Sequence, residues 1–329
     1  RAERRSILRH PSAEVAQVAK ELRWSNDPSP KGKRVGFIGL GNMGGPMATN
    51  LAKAGYVVQA FDVSPQAREA LAQTGVKAAA SVAEAASGAD VIFTSLPDGA
   101  VMLQVYRGPA GILAHARKGA LLIDTSTVDV EHARTASAEA AAAGMSALDA
   151  PVSGGVVGAA AGKLAFMVGG SAEAFAAAAP YFEVLGSRAV HCGEAGAGQA
   201  VKLCNNMLLA IQQIGVCEAF ALAKALGVDP KAFHTVASVA TGACWALNTN
   251  CPVPGLVDTS PSNRDYRPGF AVSLMNKDLG LALSAVNKHG VHAELGALAQ
   301  RIYADLNASE LRSSDFSVVY REVAKRSGL

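Results

Sequence analysis

Three observations predict an α/β chain, a doubly wound sheet on the N-terminal side followed by an all-α C-terminal domain. Short apolar runs alternate with Ala-rich stretches of helical period up to Cys192, a glycine-rich turn joins the first run to the first stretch, and beyond Gly198 the text turns helical. Alternation of this kind argues for parallel strands with helices on both faces. The chain has 329 residues, 50% hydrophobic and 17% charged, which suits about two domains of roughly 100–200 residues each. That composition excludes disordered and collagen-like classes. Mean hydropathy is +0.20, yet charged or Gly/Pro positions interrupt the apolar runs before the roughly 18 residues that a bilayer span needs. A soluble protein is expected.

In chain order, residues 1–30 form a basic arm. Arg1, Arg4, Arg5 and Arg9 suit a mitochondrial transit peptide, whereas Glu3, Glu14, Glu21 and Asp27 count against one. The mitochondrial matrix, otherwise the cytoplasm, is the expected location. Val15, Val18, Ala19 and Leu22 recur at helical spacing after Ser12, a candidate N-cap, predicting a short amphipathic helix over Ala13–Trp24. Ser25–Lys33, with Pro28, Pro30 and Gly32, reads as a linker. Residues 31–192 form the first domain, with strands at Val35–Ile38, Val57–Phe61, Val91–Leu96, Leu121–Ile123 and Ala147–Leu148. Two further runs, Leu164–Val168 and Ala189–Cys192, flank a helical stretch at Ala172–Tyr181 and end the sheet. Residues 193–227 read as one long helix. Leu203–Cys217 holds no charge, which predicts a helix apolar all round and therefore buried. It is too short and too rich in Asn205, Asn206, Gln212 and Gln213 for a membrane span. Residues 228–329 are helical except for Thr241–Pro268, where four prolines mark a long loop.

Charge narrows the function classes. Residues 1–34 carry nine Lys/Arg against four Asp/Glu, so the net +3 conceals a body with two more acids than bases. A nucleic-acid-binding body would show a clustered basic face, and none is expected. The five cysteines contain no C-x-x-C pair and are odd in number, which favours a reducing compartment. His289 and His292 are three apart with no third ligand at metal spacing, so no metal is expected.

Gly39-Leu40-Gly41-Asn42-Met43-Gly44 matches G-x-G-x-x-G between the run Val35–Ile38 and the helical stretch Gly45–Ala54. Such glycines allow a tight turn, close approach of backbone N–H groups to a pyrophosphate, and close helix–strand packing. Asp62 ends the second run 18 residues past Gly44, which completes the dinucleotide fingerprint and makes the first domain Rossmann-type. A carboxylate there accepts bonds from ribose hydroxyls and repels a 2′-phosphate, so NAD is expected rather than NADP. Arg68, a turn and a half into the next helix after Pro65, is the nearest cation that could reverse this. Leu96-Pro97 and Thr125-Ser126-Thr127 end strands where open α/β sheets place ligands; cofactor lining and plain turns both remain open. The run ending Gly162-Lys163 lacks the phosphate-loop glycine, with Leu164 in place of Ser/Thr, and G-x-S-x-G is absent.

Asp149-Ala150-Pro151-Val152-Ser153-Gly154-Gly155 offers a hydroxyl and unshielded N–H groups, either an anion cradle or a tight domain-edge turn. Lys202 begins the uncharged helix with Asn206 one turn on along the same face. Either the lysine exchanges a proton with a substrate oxygen that the amide holds, or it belongs to an interdomain ion pair.

Four segments, Gly39–Gly55 (GLGNMGGPMATNLAKAG), Asp149–Gly155 (DAPVSGG), Gly193–Asn206 (GEAGAGQAVKLCNN) and Lys277–Ala282 (KDLGLA), together resemble the β-hydroxyacid dehydrogenase family. Gly242–Pro254, with Cys244-Trp245 and Pro252-Val253-Pro254, resembles its 3-hydroxyisobutyrate dehydrogenase branch. The resemblance implies NAD-dependent oxidation of (S)-3-hydroxyisobutyrate to methylmalonate semialdehyde, a step of valine catabolism. It implies Lys202 as the catalytic lysine, Asn206 as the substrate-orienting amide, and Ser153, Gly154 and Gly155 as the carboxylate site. It further implies Lys277 and Asp278 near nicotinamide and substrate, and Trp245 lining the pocket. The cofactor would lie along Gly39, Leu40, Gly41, Asn42, Met43, Gly44, Asp62, Leu96, Pro97, Thr127 and Lys277. Members associate as dimers or tetramers. This chain departs from the branch at Val101, Ala243 and Ala246. A reductase of glyoxylate, succinic semialdehyde or tartronate semialdehyde would share every motif, although Asp62 opposes its usual NADPH. A catalytically inactive nuclear interaction module is a further reading, opposed by Lys202 and by the neutral body.

Overall fold

The computed structural model describes residues 32–71 and 73–329, so the arm helix expected at Ala13–Trp24 lies outside the described residues. Among the described residues nine strands make one sheet: β1 (Arg34–Ile38), β2 (Val57–Phe61), β3 (Lys77–Ala78), β4 (Val91–Thr94), β5 (Leu121–Asp124), β6 (Ser146–Asp149), β7 (Val152–Ser153), β8 (Leu164–Gly169) and β9 (Gly186–Gly193). Their order is β3-β2-β1-β4-β5-β6-β8-β7, with β9 paired to β8. Helices alternate with them: α1 (Gly44–Lys53), α2 (Pro65–Glu69), α3 (Val82–Ala86), α4 (Gly99–Tyr106), α5 (Ile112–His115), α6 (Val130–Ala142), α7 (Gly155–Ala161) and α8 (Ala172–Leu185).

Side chains alternate across the strands and serve two separate cores. Phe37, Phe93, Ile123 and Leu148 meet Met47 and Leu51 of α1 and Phe182 of α8. Their neighbours Ile38, Ile92 and Leu122 meet Met102 of α4 and Ala133, Ala136 and Ala140 of α6. The sheet is therefore wound on both faces, as the alternation predicts. It is not wholly parallel. Strands β1 to β6 pair parallel, but β8 runs antiparallel to both β6 and β7. The brief strand Val152–Ser153, which pairs with Ala165 and Phe166, still runs in the sense of β6, and the chain reverses between it and β8 by way of α7. Strands β3 and β7 have two residues each, too few for any period to register.

The second half is helical: α9 (Ala197–Ala225), α10 (Pro230–Ala237), α11 (Trp245–Asn248), α12 (Val272–Lys288), α13 (Glu294–Asn307) and α14 (Val319–Arg326). Its spine is α9, which is 29 residues long and apolar enough to cross a bilayer by length and composition. The expectation that it is too short for a span is thus corrected. So is the expectation of burial all round, because Leu208 is 54% and Leu222 is 62% exposed. Neighbours cover only part of its circumference. Ala210, Ile214 and Cys217 pack with Met275 and Leu279 of α12 and Tyr303 of α13, while Val216 and Phe220 pack with Ala246 and Leu247. The proline-marked stretch Thr241–Pro268 contains α11 and a 3₁₀ turn at Pro261–Arg264. Asp315 pins it, accepting from Asn250 Nδ2 at 3.2 Å and from the N–H groups of Gly269 and Phe270 at 3.0 and 3.1 Å.

Candidate active site

Strand β1 ends in the turn Gly39–Met43, and α1 begins with no side-chain cap and no acid in its first turn. The Gly45 N–H is taken by Gly41 O at 3.1 Å and Pro46 has none, so the N–H groups left to an anion are those of Asn42, Met43 and Gly44 in the turn itself. A Cβ on Gly44 would collide with the Gly39 carbonyl oxygen, whereas one on Gly41 would meet nothing within 4 Å. Gly44 is thus demanded by the turn itself, and Gly41 leaves open space at its outer edge. Asp62 belongs to the same corner: Oδ2 accepts the Leu40 N–H at 2.6 Å and Oδ1 accepts the Ser64 N–H at 2.8 Å. Each oxygen retains a lone pair for a ribose hydroxyl. These features fit a bound NAD.

Arg68 is closer than its position in the sequence suggests. Its Nη1 donates to the Asp62 carbonyl, and its guanidinium stands 5.6 Å from the centre of the Phe61 ring. Because α2 starts directly after the Asp62 corner, a turn and a half of helix brings the side chain back onto β2.

A buried network joins the loops after β4 and β5. Thr94 Oγ1 and Ser126 Oγ each donate to Asp124 Oδ1 at 2.6 Å, and Ser126 Oγ accepts the Leu96 N–H at 2.8 Å. Burial pushes the Asp124 carboxyl up, opposed by the bonds from Ser126 and Thr94. Sequence reasoning did not single out Asp124; its signal is an acid closing an otherwise apolar strand, LLID. From the helical half, Lys277 of α12 reaches both loops, donating to Thr127 O at 2.8 Å and Pro97 O at 3.3 Å. Leu96, Pro97, Thr127 and Lys277 are therefore brought together.

Lys202 and Asn206 lie on the buried side of α9, 6% and 2% exposed. Among the described residues no ion pair includes Lys202, so the structural ion pair left open by the sequence is not made. Burial pulls its ammonium below the usual lysine range; the Asp278 charge opposes this and the Lys277 charge adds to it. Asn206 Nδ2 donates to Asp278 Oδ2 at 2.6 Å, and its Oδ1 accepts from Asn205 at 3.1 Å. One amide hydrogen of Asn206 remains for a substrate oxygen. Asp278 Oδ1 is buried with no hydrogen bond, with Lys277 Nζ 3.4 Å away as a longer-range ion pair.

The segment after β6 forms β7 and the start of α7. Gly154, with φ +127°, is the N-cap of α7 and has no side chain to occupy the N–H groups that follow. A Cβ on Gly155 would lie 3.2 Å from Gly269 O, so this cradle abuts Gly269-Phe270 of the helical half. Sequence reasoning missed that wall, whose signal is Arg267-Pro268-Gly269-Phe270 just ahead of the helix bearing Lys277. Trp245 is not gathered here. It is 50% exposed and begins α11, which packs on α9 at Val216 and Phe220, about 21 Å along the helix axis from Lys202. No three His, Cys, Asp or Glu side chains group as metal ligands among the described residues.

Residues 34–193 match the family described as the NAD binding domain of 6-phosphogluconate dehydrogenase, and residues 196–323 match the NAD-binding family of NADP-dependent 3-hydroxyisobutyrate dehydrogenase. A Mycobacterium tuberculosis protein named probable 3-hydroxyisobutyrate dehydrogenase is 50% identical over 292 residues, 89% of this chain and 98% of that one. A Pseudomonas aeruginosa protein named NAD-dependent L-serine dehydrogenase is 44% identical, covering 88% of this chain and 97% of its own length. The solved structure of Mycobacterium tuberculosis 3-hydroxyisobutyrate dehydrogenase with L-serine matches at a TM-score of 0.84 and 50% identity, covering 88% of this chain and 99% of that one.

Proposed function

The chain belongs to the β-hydroxyacid dehydrogenase family, and we propose that it oxidises (S)-3-hydroxyisobutyrate to methylmalonate semialdehyde, with Lys202 accepting the hydroxyl proton. It is an NAD-dependent hydroxyacid dehydrogenase. The observation that carries the mechanistic reading is a buried lysine that forms no ion pair among the described residues, one turn from an amide that is itself fixed by Asp278. Bound NAD supplies the hydride acceptor. Lys202, whose charged form burial disfavours, takes the proton from the substrate hydroxyl as hydride departs from the same carbon. Asn206 orients that hydroxyl with its free amide hydrogen. Ser153 and the N–H groups from Gly154 onward hold the carboxylate, which fixes the carbon presented for hydride transfer. Lys277 and Asp278 close the site from the helical half, and Lys277 ties down the loops that carry Leu96, Pro97 and Thr127.

Substrate choice is tested by initial rates on a panel of hydroxy acids. (S)-3-Hydroxyisobutyrate should exceed 4-hydroxybutyrate, because an added methylene displaces the reacting carbon from a carboxylate-anchored position. Faster turnover of 4-hydroxybutyrate would transfer the chain to the semialdehyde reductases. One observation favours a second reading: the unbonded Asp278 oxygen would accept an ammonium, and two similar proteins are named with L-serine. A higher kcat/KM for L-serine than for (S)-3-hydroxyisobutyrate would select it.

The cofactor corner yields a second expectation. NAD should be preferred over NADP by about tenfold or more in kcat/KM, which requires only about 1.4 kcal/mol. Asp62 supplies that through two ribose hydroxyls and through repulsion of a 2′-phosphate, even with Arg68 beside it. Equal rates with the two cofactors would contradict this.

Self-association belongs to the same proposal. Leu222, Leu226, Val236 and Val239 are exposed near the end of α9 and around α10, the kind of apolar surface that a second copy would cover. The five cysteines are free, in keeping with a reducing compartment such as the mitochondrial matrix or the cytoplasm.

A further inference from the structure

Asp149 closes β6, where the sequence marks it only as the first residue of the candidate cradle. The structure gives it different neighbours. Its Oδ1 accepts the Gly196 N–H at 2.7 Å, and its Oδ2 accepts the Gln199 N–H at 2.9 Å. Both donors belong to the start of α9, whose N-cap Gly196 offers no side chain and whose first turn contains no acid. A buried helix start needs partners for its N–H groups, and here they come from the sheet. Two glycines make room for this. A Cβ on Gly198 would collide with the Met167 carbonyl oxygen and lie 2.7 Å from Asp149 O; one on Gly169 would collide with Asp149 Oδ1 and lie 2.8 Å from Ala197 N.

The same turn of helix holds the other parts of the site. Lys202 follows Gly198 by one turn. Gln199, wholly buried, accepts the Val128 N–H at 3.1 Å and donates to Ser126 O at 2.8 Å. Those residues flank Thr127, whose carbonyl receives Lys277.

We propose that Asp149 is a positioning residue for hydride transfer: by capping α9 with both carboxylate oxygens it sets where Lys202 stands relative to the loop after β5. The inference rests on the reading of Lys202 as proton acceptor. Asp149 touches neither substrate nor cofactor in this role. Its carboxyl is pushed up to about 6 by burial, with the Gly196 and Gln199 N–H groups opposing the rise and the Asp124 charge on the adjacent strand adding to it. Keeping a carboxylate there is costly, which suits a group retained for the geometry it imposes.

Asp149→Asn preserves shape but replaces one acceptor with a donor, leaving one helix N–H unsatisfied. In the NAD-saturated, folded variant, single-turnover hydride transfer should fall roughly 10–100-fold, the scale of a small misplacement of a reacting group. NAD affinity should stay essentially unchanged, and the Gly196 and Gln199 amides should exchange their hydrogens faster than in the native protein. Gly198→Ala keeps the carboxylate but drives α9 away from Met167, and it should give the same signature. Wild-type hydride transfer in folded Asp149→Asn, or a loss accounted for by a smaller folded fraction, overturns the proposal. So does failure of both variants to fold, which would assign Asp149 to stability alone. Normal turnover in Lys202→Ala would instead remove the reading on which the proposal rests, whatever Asp149→Asn does.

Discussion

Lys202→Ala is expected to lower kcat by roughly 10²–10⁴, the range for loss of a positioned acid or base. NAD affinity should hardly change, because the dinucleotide corner at Gly39–Gly44 and Asp62 belongs to the other half of the chain. Lys202→Arg should fail almost as badly, since arginine keeps the charge but does not release its proton near neutral pH. Stability separates this role from a structural one. Breaking a buried ion pair typically costs about 3–5 kcal/mol, but Lys202 makes none among the described residues, and removing a buried ammonium outside any ion pair should leave the fold as stable or more so. Thermal unfolding and steady-state kinetics on the same preparation check both halves of the expectation. A destabilised variant whose folded fraction turns over normally would withdraw the catalytic role.

Gly44→Ala is expected to abolish measurable NAD binding. The new methyl would meet the Gly39 carbonyl oxygen, which the turn holds in place, and the Phe37 ring at 3.1 Å. Overpacking of this kind costs about 1–3 kcal/mol of stability, and opening the turn to relieve it dismantles the N–H array of the turn that leads into α1. Gly41→Ala serves as the comparison. Its methyl meets no protein atom within 4 Å, so the fold should be unaffected, yet it would occupy the edge where backbone and pyrophosphate must approach. NAD affinity should fall about tenfold or more, about 1.4 kcal/mol, with an unchanged melting temperature. Calorimetric titration with NAD beside thermal unfolding distinguishes the two variants; Gly44→Ala binding NAD normally would contradict the assignment of this corner.

Much of the architecture is legible in the sequence because it follows from periodicity. The run Val57–Phe61 coincides with β2 and the run at Val35–Ile38 lies within β1, since each is apolar, short and bounded by turn residues. The helical spine announces itself through its uncharged length. What stays hidden depends on contacts between segments distant in sequence. The antiparallel course of β8 is set by a reversal after a two-residue strand that no period marks. Asp149 reads locally as part of a glycine-rich turn, and only the docking of α9 on the sheet shows what its oxygens bind. Arg68 looks remote when counted along a helix, but Nη1 reaches back to the corner that the helix leaves. Trp245, placed in the pocket by resemblance, lies beside the far half of α9. Local composition cannot convey which end of a long helix a loop will cover.

The pH dependence of single-turnover oxidation, measured with NAD saturating, tests the role of Lys202 most directly. The group must be neutral to accept the hydroxyl proton, so the rate should rise with pH through its pKa and then level off. Burial places that rise below the range of a solvated lysine. In Lys202→Ala the rise should disappear and the rate should remain low throughout. A Lys202→Ala enzyme that keeps both the rate and the pH-dependent rise of the native protein would contradict the account.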